Sequence, residues 1–227
     1  MDADLTPFLA GFAYEPGRLN ARLVHASDGR ELLQVRVELG ILQFETQGRP
    51  DGLPSVFEAW EGVRSTEWLA AARLELVQVQ QRARAFLAVG DAARALRDCE
   101  AALSLSAEIA LAASGAETEW IEGARFSVIV LRTRAAVALL VAAGRSREAA
   151  AVVEAGLGQL RGAAEAVGIE GSFEHLADVR ALRAMRDALV PQLPPAQRSE
   201  LEARLRAAVL AENFELAAIL RDELRLL

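Results

Sequence analysis

The apolar residues change periodicity once, at residues 47–52, and that change limits the chain to a small sheet followed by helices. Before it, Leu19, Ala21 and Leu23 alternate with Asn20, Arg22 and Val24, and Ser27-Asp28-Gly29-Arg30 comes next. Asp-Gly between alternating runs is a strong hairpin signal, because both positions tolerate the left-handed backbone that a tight turn needs. Residues 32–39 form the second strand, with Leu33, Val35, Val37 and Leu39 on one face and Gln34, Arg36 and Glu38 on the other. A third strand over residues 41–46 comes after Gly40. Gln47-Gly48-Arg49-Pro50-Asp51-Gly52 then turns the chain and ends the sheet. A sheet this small is not stable alone, so it should pack on the helices C-terminal to it.

From Pro54 onward the apolar spacing is helical. Ser55 is a candidate N-cap, with Glu58 placed to complete a capping box, and a helix broken near Gly62 runs to about Val89. Gly90-Asp91 separates it from a helix over residues 92–112, and Ser114-Gly115 from one over residues 119–143. Two more helices cover 146–167 and 172–190. Pro191-Gln192-Leu193-Pro194-Pro195 cannot continue a helix and reads as a linker. The fold class is therefore mainly α (α+β): an N-terminal antiparallel sheet (1–52), a helical domain (53–190), a linker (191–198) and a C-terminal helical hairpin (199–227).

In the middle region, Gly90-Asp91-Ala92-Ala93-Arg94-Ala95-Leu96 aligns with Gly144-Arg145-Ser146-Arg147-Glu148-Ala149-Ala150, each opening a helix after a helix-stopping glycine. Ala83 and Phe86 before the first turn, with Ala95, Cys99 and Ala102 after it, resemble the small and bulky positions of a tetratricopeptide repeat. The spacing between the two turns exceeds the ~34 residues of that family. The resemblance implies stacked helical hairpins with long helices, which stack because one hairpin cannot bury its apolar face alone.

Composition narrows the function. Of 227 residues, 52% are hydrophobic but only 5% aromatic, with alanine and leucine supplying most of the apolar content. The net charge of −7 argues against direct nucleic-acid binding and against a polybasic membrane protein. Every lysine-or-arginine position is arginine, which reads as a compositional bias shared with the alanine content. The acidic start Met1-Asp2-Ala3-Asp4 has no secretory pattern, and the longest apolar run, residues 135–144, is half the ~20 residues a spanning helix needs. A soluble, cytoplasmic protein is expected.

No catalytic residue, metal site or cofactor is expected. His25 and His175 stand in different regions, and Cys99 occupies a helix position suited to a small buried apolar residue. No phosphate-cradling glycine loop, nucleophile elbow or HExxH is present. Arg49 and Asp51 make a candidate loop site, though the same residues suit a sheet-to-helix turn with local pairing. Arg180, Arg183 and Arg186 recur along one helix, but Glu174, Asp178 and Asp187 interleave and cancel the field that phosphate binding needs.

The last segment is the most informative. Leu201, Leu205, Ala208 and Val209 make an apolar stripe, Asn213 can cap a second helix, and Phe214, Ala217, Ala218 and Leu224 make a second stripe. Phe214 is expected to plug the open end of the hairpin. Leu216, Ile219 and Leu220 lie off that stripe, so two short helices leave apolar surface for something else to cover.

Ala208-Val209, Glu212, Phe214, Glu215, Ala217, Ala218, Leu220, Arg221 and Asp222 resemble, position by position, the UVR domain (the UvrB/UvrC motif). Leu224 stands where isoleucine is commoner. The resemblance implies a bacterial-type, non-enzymatic interaction hairpin, of the kind found in excision-repair subunits and in Clp-type chaperones and adaptors. Leu205, Val209, Glu212, Phe214, Glu215, Ala217, Ala218, Leu220, Arg221, Asp222 and Leu224 are the candidate partner-binding residues, serving a protein partner or self-association. The expected function is that of an adaptor, with an excision-repair accessory factor or a Clp-type adaptor as the alternatives.

Overall fold

The computed structural model describes residues 6–59, 64–189 and 195–226. The expected helix break near Gly62 and linker residues 191–194 lie outside the described residues. A short helix α1 (Thr6–Ala10) precedes the meander β1 (Asn20–His25), β2 (Glu31–Val37) and β3 (Gly40–Glu45), paired antiparallel in that order. The Asp28-Gly29 turn forms as expected: Gly29 takes φ 86°, and Asp28 Oδ1 accepts from the Arg30 N–H at 3.0 Å. The second strand ends two residues early. Val37 pairs with Gly40, which leaves Leu39 in the turn and 88% exposed rather than on the apolar face.

Ala21 lies opposite Val35, and Leu23 and Phe44 both lie opposite Leu33. These residues pack on Ala85, Phe86, Ala95 and Ala135 of the helices, so the sheet borrows its core from them. The other face is mixed, with Leu32 buried opposite Val24, Arg22 Nε donating to Gln34 and Gln34 donating to Gln43, each bond at 3.0 Å.

The helical part comprises α2 (Val56–Ala59), α3 (Thr66–Ala88), α4 (Ala92–Ala112), α5 (Ala116–Ala142), α6 (Ser146–Ala166) and α7 (Ala177–Leu189). Ser55 begins α2 as expected, its Oγ accepting from the Phe57 N–H. Its expected partner Glu58 is displaced by Glu75 of α3. The buried Glu75 carboxylate accepts from Ser55 Oγ at 2.9 Å and from the Val56 N–H at 2.8 Å. The long-range pairing wins because Glu75 must find donors once it is buried.

Gly90 and Gly144 end α3 and α5 in the left-handed conformation, at φ 82° and 72°. In each turn the next N–H returns to a carbonyl of the preceding helix, Asp91 to Phe86 and Arg145 to Leu140, both at 2.9 Å. Asp91 also caps α4 through its side chain, whereas Arg145 offers α6 no such acceptor. The helix expected from Ser172 instead opens with a 3₁₀ segment, Glu170–His175, and α7 starts only after Leu176 turns extended. Phe173 in that segment is buried against α6 and α7, which holds the tighter winding in place.

α5 is apolar on two sides because two cores meet on it. Ile121, Val128 and Leu131 join the core built by α3 and α4, while Ile129, Val130 and Val137 join that of α6 and α7. The last elements are α8 (Pro195–Leu210) and α9 (Phe214–Leu226), which pack on each other. α8 begins inside the segment expected to be linker. Proline fits the first turn of a helix, where its missing N–H has no partner to lose.

Candidate protein-interaction surface

The α8–α9 hairpin has a core of its own. Ala208, Ala217 and Leu220 are buried, with Leu201 and Leu205 packed on them. Small residues at 208 and 217 let the helix axes approach closely, so the interior holds little aliphatic volume. The turn resembles those after α3 and α5 in its hydrogen bonds, with the Asn213 N–H donating to Ala208 O at 2.9 Å. Here, however, Glu212 takes the left-handed position, at φ 53°. Asn213 then caps α9 as expected, its Oδ1 accepting from the Leu216 N–H at 3.1 Å.

Phe214 does not plug the hairpin. It is 69% exposed. Side chains lean toward the N-terminus of their helix, so a residue in the first turn of α9 points past the end of α8 and finds nothing opposite. Leu220, read as lying off the stripe, is buried instead. Val209, Leu210, Leu216 and Ile219 are exposed along with Phe214. The eleven candidate residues thus divide. Ala217 and Leu220 build the interior, Leu205, Ala218 and Leu224 flank it half-buried, and Val209 and Phe214 face outward. Glu212, Glu215, Arg221 and Asp222 are exposed polar residues around that apolar surface, with Arg221 Nη2 pairing with its neighbour Asp222 at 2.8 Å.

The Arg49–Asp51 loop is a junction. Arg49 Nε lies 3.0 Å from Asp51 Oδ1, and the Arg49 side chain is nearly buried. Burial pushes the Asp51 carboxyl up, but hydrogen bonds from Gln78 and the Leu53 N–H, with the charge of Arg49, outweigh it and leave the group below its ordinary value.

Beneath this loop lies a buried ion network whose members sit among apolar helix positions. Arg82 of α3 meets Asp98 of α4 through two bonds, Nε to Oδ2 at 2.7 Å and Nη2 to Oδ1 at 3.0 Å. The remaining Arg82 nitrogen donates to the carbonyls of Glu45 and Gly48, both at 2.8 Å, and Arg97 donates to Thr46 O at 2.9 Å. The pair locks the end of the sheet onto the helices. The pair goes unnoticed in the sequence, although a signal is there: Arg82 stands beside Val79, Ala83 and Phe86, and Asp98 beside Ala95, Cys99 and Ala102, opposite charges on two inward faces.

Cys99 is buried, and burial first, then the negative charge of Asp98, pushes its thiol up to about 12. His25 and His175 are exposed at separate places. Among the described residues no three His, Cys, Asp or Glu side chains are grouped to hold a metal ion, and no helix is long and apolar enough to cross a membrane. Along α7, Arg183 pairs with Glu174 and Arg186 with Glu154 and Asp187, as expected of a solvated face.

No curated protein and no solved structure matches the chain. Residues 196–227 match the family model of the UvrB/uvrC (UVR) motif, so the α8–α9 hairpin, with its outward Phe214 and Ile219, carries a module of protein-interaction or DNA-repair-related proteins.

Proposed function

We propose that the protein is a non-enzymatic adaptor that captures a protein partner on the outer face of the α8–α9 hairpin. The observation that carries this reading is that Val209, Leu210, Phe214, Leu216 and Ile219 are all exposed on a unit with so small a core. Burying large apolar side chains is worth about 1.5–3 kcal/mol each, and a two-helix unit is marginal without such cover. The charged rim of Glu212, Glu215, Arg221 and Asp222 suits selection among partners, since rim charges steer encounter and reject mismatched surfaces.

A protein partner is favoured over DNA because Arg161, Arg183 and Arg186 are already paired with carboxylates and the net charge is −7. A role beside excision-repair proteins and a role delivering clients to a Clp-type ATPase are the finer forms of this reading. Affinity capture by the tagged full chain, compared with the chain lacking residues 196–227, tests it. The reading expects a specific partner that the shortened chain loses, and equal capture by both chains would refute it.

A further inference from the structure

Away from the hairpin, a groove of about 580 Å³ opens between α3, α5 and α7, beside Leu19 ahead of β1. Its floor is apolar, with Leu87, Val130, Leu131 and Met185. Arg84 of α3 and Arg134 of α5 line it, and among the described residues neither guanidinium lies within ion-pair distance of a carboxylate. On the same helices Arg73 pairs with Glu117, Arg125 with Glu122 and Arg186 with Glu154, whereas Arg132 reaches only the Gln159 side chain. Asp178 of α7 is the carboxylate lining the groove, and it leaves the local balance positive in a chain of net charge −7.

We infer that this groove binds an extended acidic segment of a partner protein, with carboxylates on Arg84 and Arg134 and an aliphatic side chain on the floor between them. Two guanidinium forks beside an apolar strip match carboxylates flanking an aliphatic residue, and a guanidinium binds carboxylate with two parallel hydrogen bonds. The volume suits a few residues of an extended chain and excludes a folded domain. Asp178 disfavours a purely anionic, non-peptide ligand and offers an acceptor to a backbone N–H of the segment.

The test uses the full chain and a short labelled peptide alternating glutamate and leucine, followed by fluorescence anisotropy. Saturable binding is expected, weakening as salt is raised, with no binding of the glutamine–leucine or lysine–leucine counterparts. Arg84→Gln and Arg134→Gln should each weaken binding about tenfold or more, while Arg180→Gln, on the exposed side of α7, should leave it unchanged. Thermal melts check that the variants fold, and Arg84→Lys with Arg134→Lys, which keep charge but lose the fork, should bind with intermediate affinity. The inference is overturned if the acidic peptide does not bind, if the glutamine peptide binds equally, or if the double Gln variant binds as the parent does. Displacement of the peptide by a single-stranded oligonucleotide at equal concentration would also overturn it, by assigning the groove to phosphates.

Discussion

Replacing Arg82 by methionine removes the cation that joins the sheet to the helices. Arg82 is 3% exposed and Asp98 1% exposed, so no water replaces the lost bonds. The variant leaves the Asp98 carboxylate with only the half-exposed Arg97, and it removes the donor to Glu45 O and Gly48 O. Breaking a buried ion pair from one side costs about 3–5 kcal/mol. For a chain of this length each kcal/mol lowers the melting temperature by about 2–4 °C, so Arg82→Met should melt about 6–20 °C lower by circular dichroism. Hydrogen exchange should rise first in β3 and in the loop after it, because those carbonyls lose their anchor. Arg82→Met with Asp98→Leu should recover part of the loss, since the orphan charge is gone. A loss below about 1 kcal/mol for the single variant, or a double variant as unstable as the sum of the singles, would refute the role given to the pair.

Gly156 of α6 faces Thr133 of α5, and an added Cβ would stand 2.3 Å from Thr133 Oγ1. Gly156→Ala should therefore cost about 1–3 kcal/mol in urea unfolding, with Thr133→Ala restoring most of it; a neutral Gly156→Ala would show that the helices part freely. Glu212 holds φ 53° without being glycine, so Glu212→Gly should slow hydrogen exchange across α8 and α9 by stabilising the hairpin about 1 kcal/mol, and faster exchange would contradict that. Cys99, whose thiol is pushed up to about 12, should resist thiol reagents in the native protein and react on unfolding. The unfolded chain loses that proton near pH ~8.5 while the folded one keeps it, so urea stability should begin to fall above about pH 8.5; rapid native labelling would contradict the burial.

The strands, the long helices and the cap at Asn213 were legible because each is written in local spacing and one capping residue. The elements that read differently depend on partners distant in sequence. Glu75, rather than Glu58, satisfies Ser55 because the packing of α2 on α3 buries it there. Ser172 lies in a 3₁₀ turn, where Phe173 is anchored in the core of α6 and α7. At the candidate surface the motif residues were evident, but their division into inside and outside was not. Phe214 and Ala217 share a helical stripe, and only the length of α8 decides that one is covered and the other open. Likewise, the groove with Arg84 and Arg134 needs residues from α3, α5 and α7 side by side, which no local pattern records.

The most direct test of the account is the affinity of the captured partner for Phe214→Ser/Ile219→Ser, measured by calorimetry against the parent chain. With Phe214 69% and Ile219 59% exposed, covering them is worth about 1–2 kcal/mol each, roughly 3 kcal/mol together. The account predicts about a 100-fold weaker Kd with unchanged helicity, because neither side chain belongs to the hairpin core. An unchanged Kd would contradict it by placing the partner elsewhere, and a hairpin that melts on substitution would contradict it by making these side chains part of the hairpin core.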